Sequence, residues 1–303
     1  LINFKEEQIM KKDVFTGSAV ALITPFNDDL SVNYEALGEI IDFQIENKTD
    51  AILVCGTTGE SAALSDEEHK KVIEYAVKKV DGRVPVIAGA GSNDTSYSVQ
   101  LSQHAQSAGV DALLLVTPYY NKTTQQGLVN HYTYIANSVS LPIILYSVPS
   151  RTGLNITPWA CKELSKVDNI VAIKEASSNI EQIAEIAASC PDFTIYSGND
   201  DQVIPIMSLG GKGVISVLSN ICPKETHDMC QKFLEGDLEG ARALQFKYFG
   251  LVKALFSEVN PIPVKAAMNL MGLNAGPLRM PLCEISDAAK SKLKDEMQKV
   301  GLI

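Results

Sequence analysis

Eight short apolar runs punctuate the first three quarters of the chain: Val20–Phe26, Ala51–Cys55, Val84–Ala88, Ala112–Thr117, Pro142–Val148, Ile170–Lys174, Thr194–Ser197 and Gly213–Val217. Most are continuous rather than alternating, the pattern of strands covered on both faces. The segments between them have helical period. Ser65-Asp-Glu-Glu68 is a capping box that opens a helix with Val72, Ile73, Ala76, Val77 and Val80 on its apolar face. Thr157 followed by Pro158 predicts an N-cap with proline at the first helical position. From Asn179, the residues Ile180, Ile183, Ala184, Ile186 and Ala187 form another apolar face until Pro191 ends it.

Eight strands alternating with helices predict an α/β fold, a (β/α)8 barrel. A doubly wound open sheet is the other candidate, but it usually carries a phosphate loop after its first strand. Here that position is Thr24-Pro-Phe26, and Gly89-Ala-Gly91 after the third strand is too short and misplaced for a dinucleotide fingerprint. After about Glu235 the strand pattern ceases, and Leu238–Phe256, Pro263–Met271 and Ile285–Val300 read as helices. The expected organisation is a leader over 1–9, a catalytic barrel over 10–235 and a C-terminal helical region over 236–303. That region is too small for its own core and should pack on the barrel or on a neighbouring subunit. Leu1–Ile9 is expected to be vector-derived or a disordered leader, with Met10-Lys-Lys12 as a plausible native start.

Composition narrows the function classes. The 26 basic and 36 acidic residues give a formal charge of −10 with no basic cluster, which argues against nucleic acid or an anionic membrane surface as partner. No apolar run reaches the length of a membrane span. Six scattered cysteines without a Cys-x-x-Cys suit buried reduced thiols in a cytoplasmic protein. Cys222 and Cys230 bracket His227 at a spacing that matches no zinc site, so no metal is expected. The Asn-x-Thr triplets at Asn47, Asn93, Asn121 and Asn155 then count as chance matches to glycosylation acceptors.

In a barrel enzyme the chemistry gathers at the carboxyl ends of the strands. Here those ends read Cys55-Gly-Thr-Thr-Gly-Glu60, Thr117-Pro-Tyr-Tyr-Asn121, Tyr146-Ser-Val-Pro-Ser-Arg-Thr-Gly153, Lys174 and Ser197-Gly-Asn-Asp200. Lys174 is a lone cation ending an apolar strand. Burial there would lower its pKa and leave an amine able to form a Schiff base with a carbonyl. The alternative is a barrel lysine paired with an acid such as Glu175. Gly-Thr-Thr-Gly is also readable as a tight turn, Arg151 as a surface residue and Tyr119-Tyr120 as a packing pair. Their joint placement at one rim favours the chemical reading. His69, His104, His131 and His227 all fall in helical segments, which weakens a Ser-His-Asp or metal-hydrolase site. The set suits carbon–carbon bond formation: the amine condenses with a 2-oxo acid whose carboxylate Thr57 and Thr58 can hold. A tyrosine hydroxyl then shuttles protons as imine becomes enamine, and Arg151 is placed to bind an acceptor carboxylate.

Four motifs in order, Gly56-Thr-Thr-Gly-Glu-Ser61, Val116-Thr-Pro-Tyr-Tyr-Asn121, Val148-Pro-Ser-Arg-Thr-Gly153 and Ile173-Lys-Glu-Ala176, resemble the pyruvate-dependent class I aldolase superfamily, which includes N-acetylneuraminate lyase. They closely resemble its 4-hydroxy-tetrahydrodipicolinate synthase (dihydrodipicolinate synthase) branch, over nearly the whole chain from Phe15. Arg151 and Thr57-Thr58 favour that branch, since the lyase lacks the arginine and has Ser-Thr; a sister aldolase or lyase acting on a sugar acid is the alternative. A sensor that binds 2-oxo acids without turnover is the non-enzymatic one. The resemblance implies a carbon–oxygen lyase that condenses pyruvate with L-aspartate 4-semialdehyde, the committed step toward diaminopimelate and lysine, with no metal or organic cofactor. It implies Lys174 as the Schiff-base residue and Tyr146, Thr57 and Tyr120 as a proton relay, with Tyr120 reaching in from a neighbouring subunit. It further implies that Thr58 binds substrate carboxylate, that Gly198 and Ile215 contribute backbone groups near the amine, and that the assembly is a homotetramer of two tight dimers.

The chain departs from that pattern at Ser147, where asparagine is common, and at Asn199, where an acid is common. Ser61, Ala62, His69, Asn93 and Tyr119 match the lysine-effector site of feedback-inhibited members, but the family's glutamate is here Tyr97. Weak or absent inhibition by lysine is the expectation.

Overall fold

The computed structural model describes residues 13–303, so the expected leader over 1–9 and the start at Met10 lie outside the described residues. Eight parallel strands close into a barrel in sequence order: β1 (Gly17–Ala21), β2 (Ala51–Val54), β3 (Val86–Gly89), β4 (Ala112–Val116), β5 (Ile143–Ser147), β6 (Ile170–Glu175), β7 (Thr194–Ser197) and β8 (Gly213–Ser216), with β8 pairing back to β1. Eight helices follow the strands in turn: Tyr34–Glu46, Asp66–Val80, Thr95–Ala108, Gln125–Ala136, Pro158–Leu164, Ile180–Ser189, Val203–Ser208 and Pro223–Leu234. Three more, Leu238–Leu255, Ile262–Leu270 and Asp287–Val300, complete the chain. This is the (β/α)8 barrel with a C-terminal helical extension.

The local signals act as the sequence predicts. Ser65 caps the helix Asp66–Val80 by accepting from Glu68 N–H while Glu68 reaches back to Ser65 N–H. Thr157 caps Pro158–Leu164, and Asn179 caps Ile180–Ser189. The strand side chains divide two cores. Ala19, Leu53, Ile87, Leu114, Ile144 and Ile215 belong to the cluster inside the barrel, while residues such as Val20, Ile52, Ala88 and Leu113 pack outward on the helices. Both faces are dry, which is why the runs are continuous rather than alternating.

The first strand departs from expectation. Its apolar run predicts Val20–Phe26, whereas β1 is Gly17–Ala21. Gly17 and Ser18 carry no apolar signal, yet Gly17 faces Gly213 so closely that a Cβ on Gly213 would meet the Gly17 carbonyl at 1.8 Å. Beyond Leu22, the Ile23 N–H turns to Asn220 Oδ1 and Pro25 has no N–H to give. Leu22–Phe26 is therefore a buried crossing of the rim. Phe15 closes the opposite end, stacked on Tyr196 at 4.2 Å between centroids and accepting its hydroxyl at 2.7 Å.

The C-terminal helices pack on the barrel and reach its rim. Gln245 donates to the Asp200 carbonyl, Asn260 donates to Thr58, and Lys265 pairs with Glu60. All six cysteines are free, five of them buried and Cys283 exposed.

Candidate active site

The carboxyl ends of β2, β5, β6 and β7 surround a cavity of about 190 Å³, lined by Thr57, Thr58, Tyr146, Arg151, Lys174 and Gly198 among others. It is smaller than the roughly 300–1,000 Å³ of pockets for drug-sized ligands, and suits a small acid.

Strand alternation decides what Lys174 faces. Tyr146, Lys174 and Tyr196 are register partners across β5, β6 and β7, so all three side chains enter the barrel. Glu175 points the other way, where its carboxylate accepts from Ser177 N–H at 2.7 Å and from Gln182 at 3.1 Å. Pairing of Lys174 with Glu175 is thereby ruled out. Lys174 is 5% exposed, and burial pulls its pKa from 10.5 down to about 8, with the Asp200 carboxylate opposing that shift and the Arg151 charge adding to it. Its Nζ lies 4.4 Å from the Tyr146 ring centroid. Burial pushes the Tyr146 hydroxyl above its ordinary range, opposed by Arg151 and a Thr57 hydrogen bond, so it stays protonated near neutral pH.

The glycine after β7 makes room for the amine. A Cβ on Gly198 would lie 2.7 Å from the Ala176 Cβ and 3.2 Å from Lys174 Cε. Two residues on, Asp200 is buried. It accepts from Ser216 Oγ at 2.5 Å, Val217 N–H at 3.0 Å and Leu218 N–H at 3.1 Å, which fixes its carboxyl group; burial raises its pKa, opposed by these bonds and the Lys174 charge. Asn199 donates to Ser178 Oγ at 3.1 Å at the cavity mouth. Ser147 is turned out of the barrel toward Asn155, so its departure from the common asparagine leaves the cavity unchanged.

The threonine loop is held from the tail. Glu60 is in the left-handed region at φ 52°, unusual for glutamate, and its carboxylate is fully engaged. Lys265 Nζ bonds one oxygen at 2.9 Å and Arg279 N–H the other at 3.0 Å. Lys265 also donates to the carbonyls of Thr24 and Pro277. Thr24 Oγ donates to the Gly59 carbonyl at 2.7 Å. Arg151 rides on the single turn Pro149–Thr152 after β5, and its Nη2 donates to the Asn260 carbonyl at 3.1 Å.

Thr57, Thr58, Tyr146, Arg151, Lys174 and Gly198 thus meet in one cavity. Two other expected site residues do not. Tyr120 is 92% exposed on a loop with φ 68°, and Ile215 is packed in the barrel interior. Of the expected effector residues, His69 lies in helix Asp66–Val80 and Tyr97 bonds to that helix. Tyr97 donates to Asp66 at 3.1 Å, His69 Nε2 bonds the Gly89 carbonyl at 2.8 Å, and Asn93 accepts from Asn121. Tyr119 is close enough to raise the Tyr97 pKa slightly, after burial and Asp66. Ser61 and Ala62 lie in the short turn Ser61–Ala63 that follows the threonine loop. Sequence reasoning overlooks Asn260, Ser178 and Phe256, which also line the cavity; the one local signal is the proline break at Pro261. Among the described residues, no cluster of three or more His, Cys, Asp or Glu has metal-holding geometry, and no helix is long and apolar enough to cross a membrane.

A model of the dihydrodipicolinate synthetase family matches residues 14–300. A 4-hydroxy-tetrahydrodipicolinate synthase of Lachnoclostridium phytofermentans is 60% identical over 292 residues, 96% of this chain and 99% of that protein. The dihydrodipicolinate synthase structure from Aquifex aeolicus is similar with a TM-score of 0.93 and 48% identity, covering 95% of this chain and 99% of that one. The Cyanidioschyzon merolae structure, which has lysine bound, gives a TM-score of 0.94 and 41% identity over 96% of this chain and 100% of that one.

Proposed function

The chain belongs to the dihydrodipicolinate synthetase family, and on that premise we propose how its rim residues divide the work. The protein is a 4-hydroxy-tetrahydrodipicolinate synthase-type lyase, condensing pyruvate with L-aspartate 4-semialdehyde on the route to diaminopimelate and lysine. The Lys174 amine adds to the pyruvate carbonyl and loses water to give the imine. Loss of a methyl proton gives the enamine, whose carbon attacks the semialdehyde carbonyl. Tyr146 carries the protons with Thr57, and its raised pKa keeps it a donor rather than a phenolate. Thr58 holds the pyruvate carboxylate, Gly198 and Ile215 offer backbone groups beside the amine, and Arg151 takes the carboxylate of the acceptor. The imine itself is the electron sink, so the step calls for no metal or organic cofactor.

Tyr120 projects into solvent from a left-handed backbone, which supports its role as the relay residue of a neighbouring subunit in a homotetramer of two tight dimers. Ser61, Ala62, His69, Asn93, Tyr97 and Tyr119 form a degenerate lysine-effector site. A cytoplasmic location suits the six free thiols.

The carrying observation is a buried, pKa-depressed Lys174 in one small cavity with Tyr146, Thr58 and Arg151. The test is mass-spectrometric product analysis with pyruvate and a panel of acceptors: aspartate semialdehyde, N-acetylmannosamine and glyceraldehyde. A dominant heterocyclic adduct from the semialdehyde is expected; preferential turnover of a sugar acceptor would overturn the assignment.

A further inference from the structure

Asn260 sits where the C-terminal region meets the cavity and contacts two of its binding residues at once. Its side-chain Nδ2 donates to Thr58 Oγ1 at 3.0 Å, and its backbone carbonyl accepts from Arg151 Nη2 at 3.1 Å. The residue is 5% exposed and lines the cavity, yet its Oδ1 has no hydrogen-bond partner. Among the described residues, five other buried side-chain atoms lack a hydrogen-bond partner, on Ser18, Gln44, His104, His131 and Ser219, and none of those residues lines this cavity. A buried acceptor left unpaired is destabilising, so a ligand that brings a donor to it removes that cost.

The donor must reach the cavity beside Arg151. Building on the proposal that Arg151 takes the acceptor's carboxylate, the group on the adjacent carbon of that acceptor is an ammonium. It is a triple donor, matched to a bare carboxamide oxygen. We propose that Asn260 Oδ1 is the subsite for the acceptor's ammonium group and makes Asn260 a specificity-determining residue. The same side chain orders the donor half of the site. With Nδ2 bonded to Thr58 Oγ1, the Thr58 proton is free to point at the pyruvate carboxylate rather than at its neighbour. A site built to pair a substrate N–H rejects the analogue that lacks it, because the site's own polar atom is then left bare.

The test compares L-aspartate 4-semialdehyde with succinate semialdehyde, which keeps the carboxylate and aldehyde but has no amino group. The readout is the ratio of their kcat/KM values at saturating pyruvate, so that any effect on the pyruvate step cancels. The protein as it stands is expected to prefer the amino-bearing acceptor at least about tenfold, and Asn260→Ala is expected to erase most of that preference. Asn260→Asp separates the two roles. It keeps an oxygen for the ammonium, and so the preference, but cannot donate to Thr58, so the pyruvate KM rises several-fold. It also stands in should the alanine variant fail to fold. An unchanged ratio in Asn260→Ala, or the absence of a preference at the outset, would overturn the proposal. Arg151→Ala tests the premise separately. A steep rise in KM for both acceptors leaves the carboxylate site standing whatever Asn260 does, whereas unchanged kinetics remove the premise itself.

Discussion

Lys174 Nζ stands 4.4 Å from the centroid of the Tyr146 ring, and among the described residues no carboxylate lies within ion-pair distance of it. The ring face is a weak attraction for a cation, about 0.5–2 kcal/mol, and does not offset burial, which takes the amine to about 8. The neutral, nucleophilic form is therefore present at neutral pH as a substantial minority and dominates above pH 8. Borohydride trapping of pyruvate on Lys174 should rise with pH through a midpoint near 8 and fail at lower pH as the amine protonates. Trapping unchanged at about pH 5 would refute a role for amine ionisation in this step.

The same shift is a stability statement. Below about pH 8 both folded and unfolded chains carry the proton, and the folded state bears the full cost of the buried charge. Between about 8 and 10.5 the unfolded chain binds the extra proton, so this group's contribution to stability rises with pH across that window. Lys174→Met removes the charge and keeps most of the side-chain volume. It should abolish pyruvate trapping while raising stability at pH 7 by roughly 1–3 kcal/mol, less than the full linkage value because the thioether replaces an imperfectly matched stem. Urea unfolding at pH 7 checks it, and a less stable variant would mean that Lys174 is favourably paired in the folded state.

Much of this site is legible along the chain because its parts are consecutive residues at strand ends. Gly56-Thr-Thr-Gly and Lys174 are short, local signals, and the barrel rule gathers them before any contact is known. Asn260 and Lys265 carry no such signal. Each acts through a partner some two hundred residues away, Thr58 and Glu60, and nothing in a helical tail's periodicity reports on a rim loop. Gly17 and Ser18 escape for a different reason: a glycine chosen for close approach to Gly213 is not an apolar residue, so the search for apolar runs begins the strand too late. The outward turn of Glu175 needed only alternation from Lys174, but which of the two faces the barrel is settled by register.

The proposed effector residues bear on regulation. A lysine ligand presents an ammonium that calls for a carboxylate, and Tyr97 supplies a hydroxyl already committed to Asp66 at 3.1 Å. Asp66 is in turn paired with Lys70 at 2.7 Å. Loss of a buried charged partner costs about 2–5 kcal/mol, so lysine should inhibit weakly or not at all. Tyr97→Glu should lower the lysine concentration for half-inhibition by at least about tenfold, within the range that cost implies. Steady-state assays across a lysine series check both statements; half-inhibition of the unaltered protein at sub-millimolar lysine would count against the first.

Glu60 and Lys265 make the one ion pair in which both side chains are about 1% exposed among the described residues. Burial pulls the Lys265 amine down from its ordinary value, opposed by the Glu60 charge and hydrogen bond. A pair of this kind contributes little net stability against an apolar substitute, but breaking it from one side strands a buried charge at roughly 3–5 kcal/mol. Lys265→Met should cost that amount. Adding Glu60→Gln should recover part of it, because the neutral amide no longer needs the ammonium and its carbonyl oxygen still accepts from Arg279 N–H. Unfolding of the two single variants and the double variant closes the cycle. Since Glu60 ends the loop that carries Thr57 and Thr58, all three variants should also raise the KM for pyruvate more than they change kcat. Additive stability losses would mean that Lys265 and Glu60 do not stabilise each other, and a KM that does not move would show that the tail's grip on Glu60 is separate from the threonine loop.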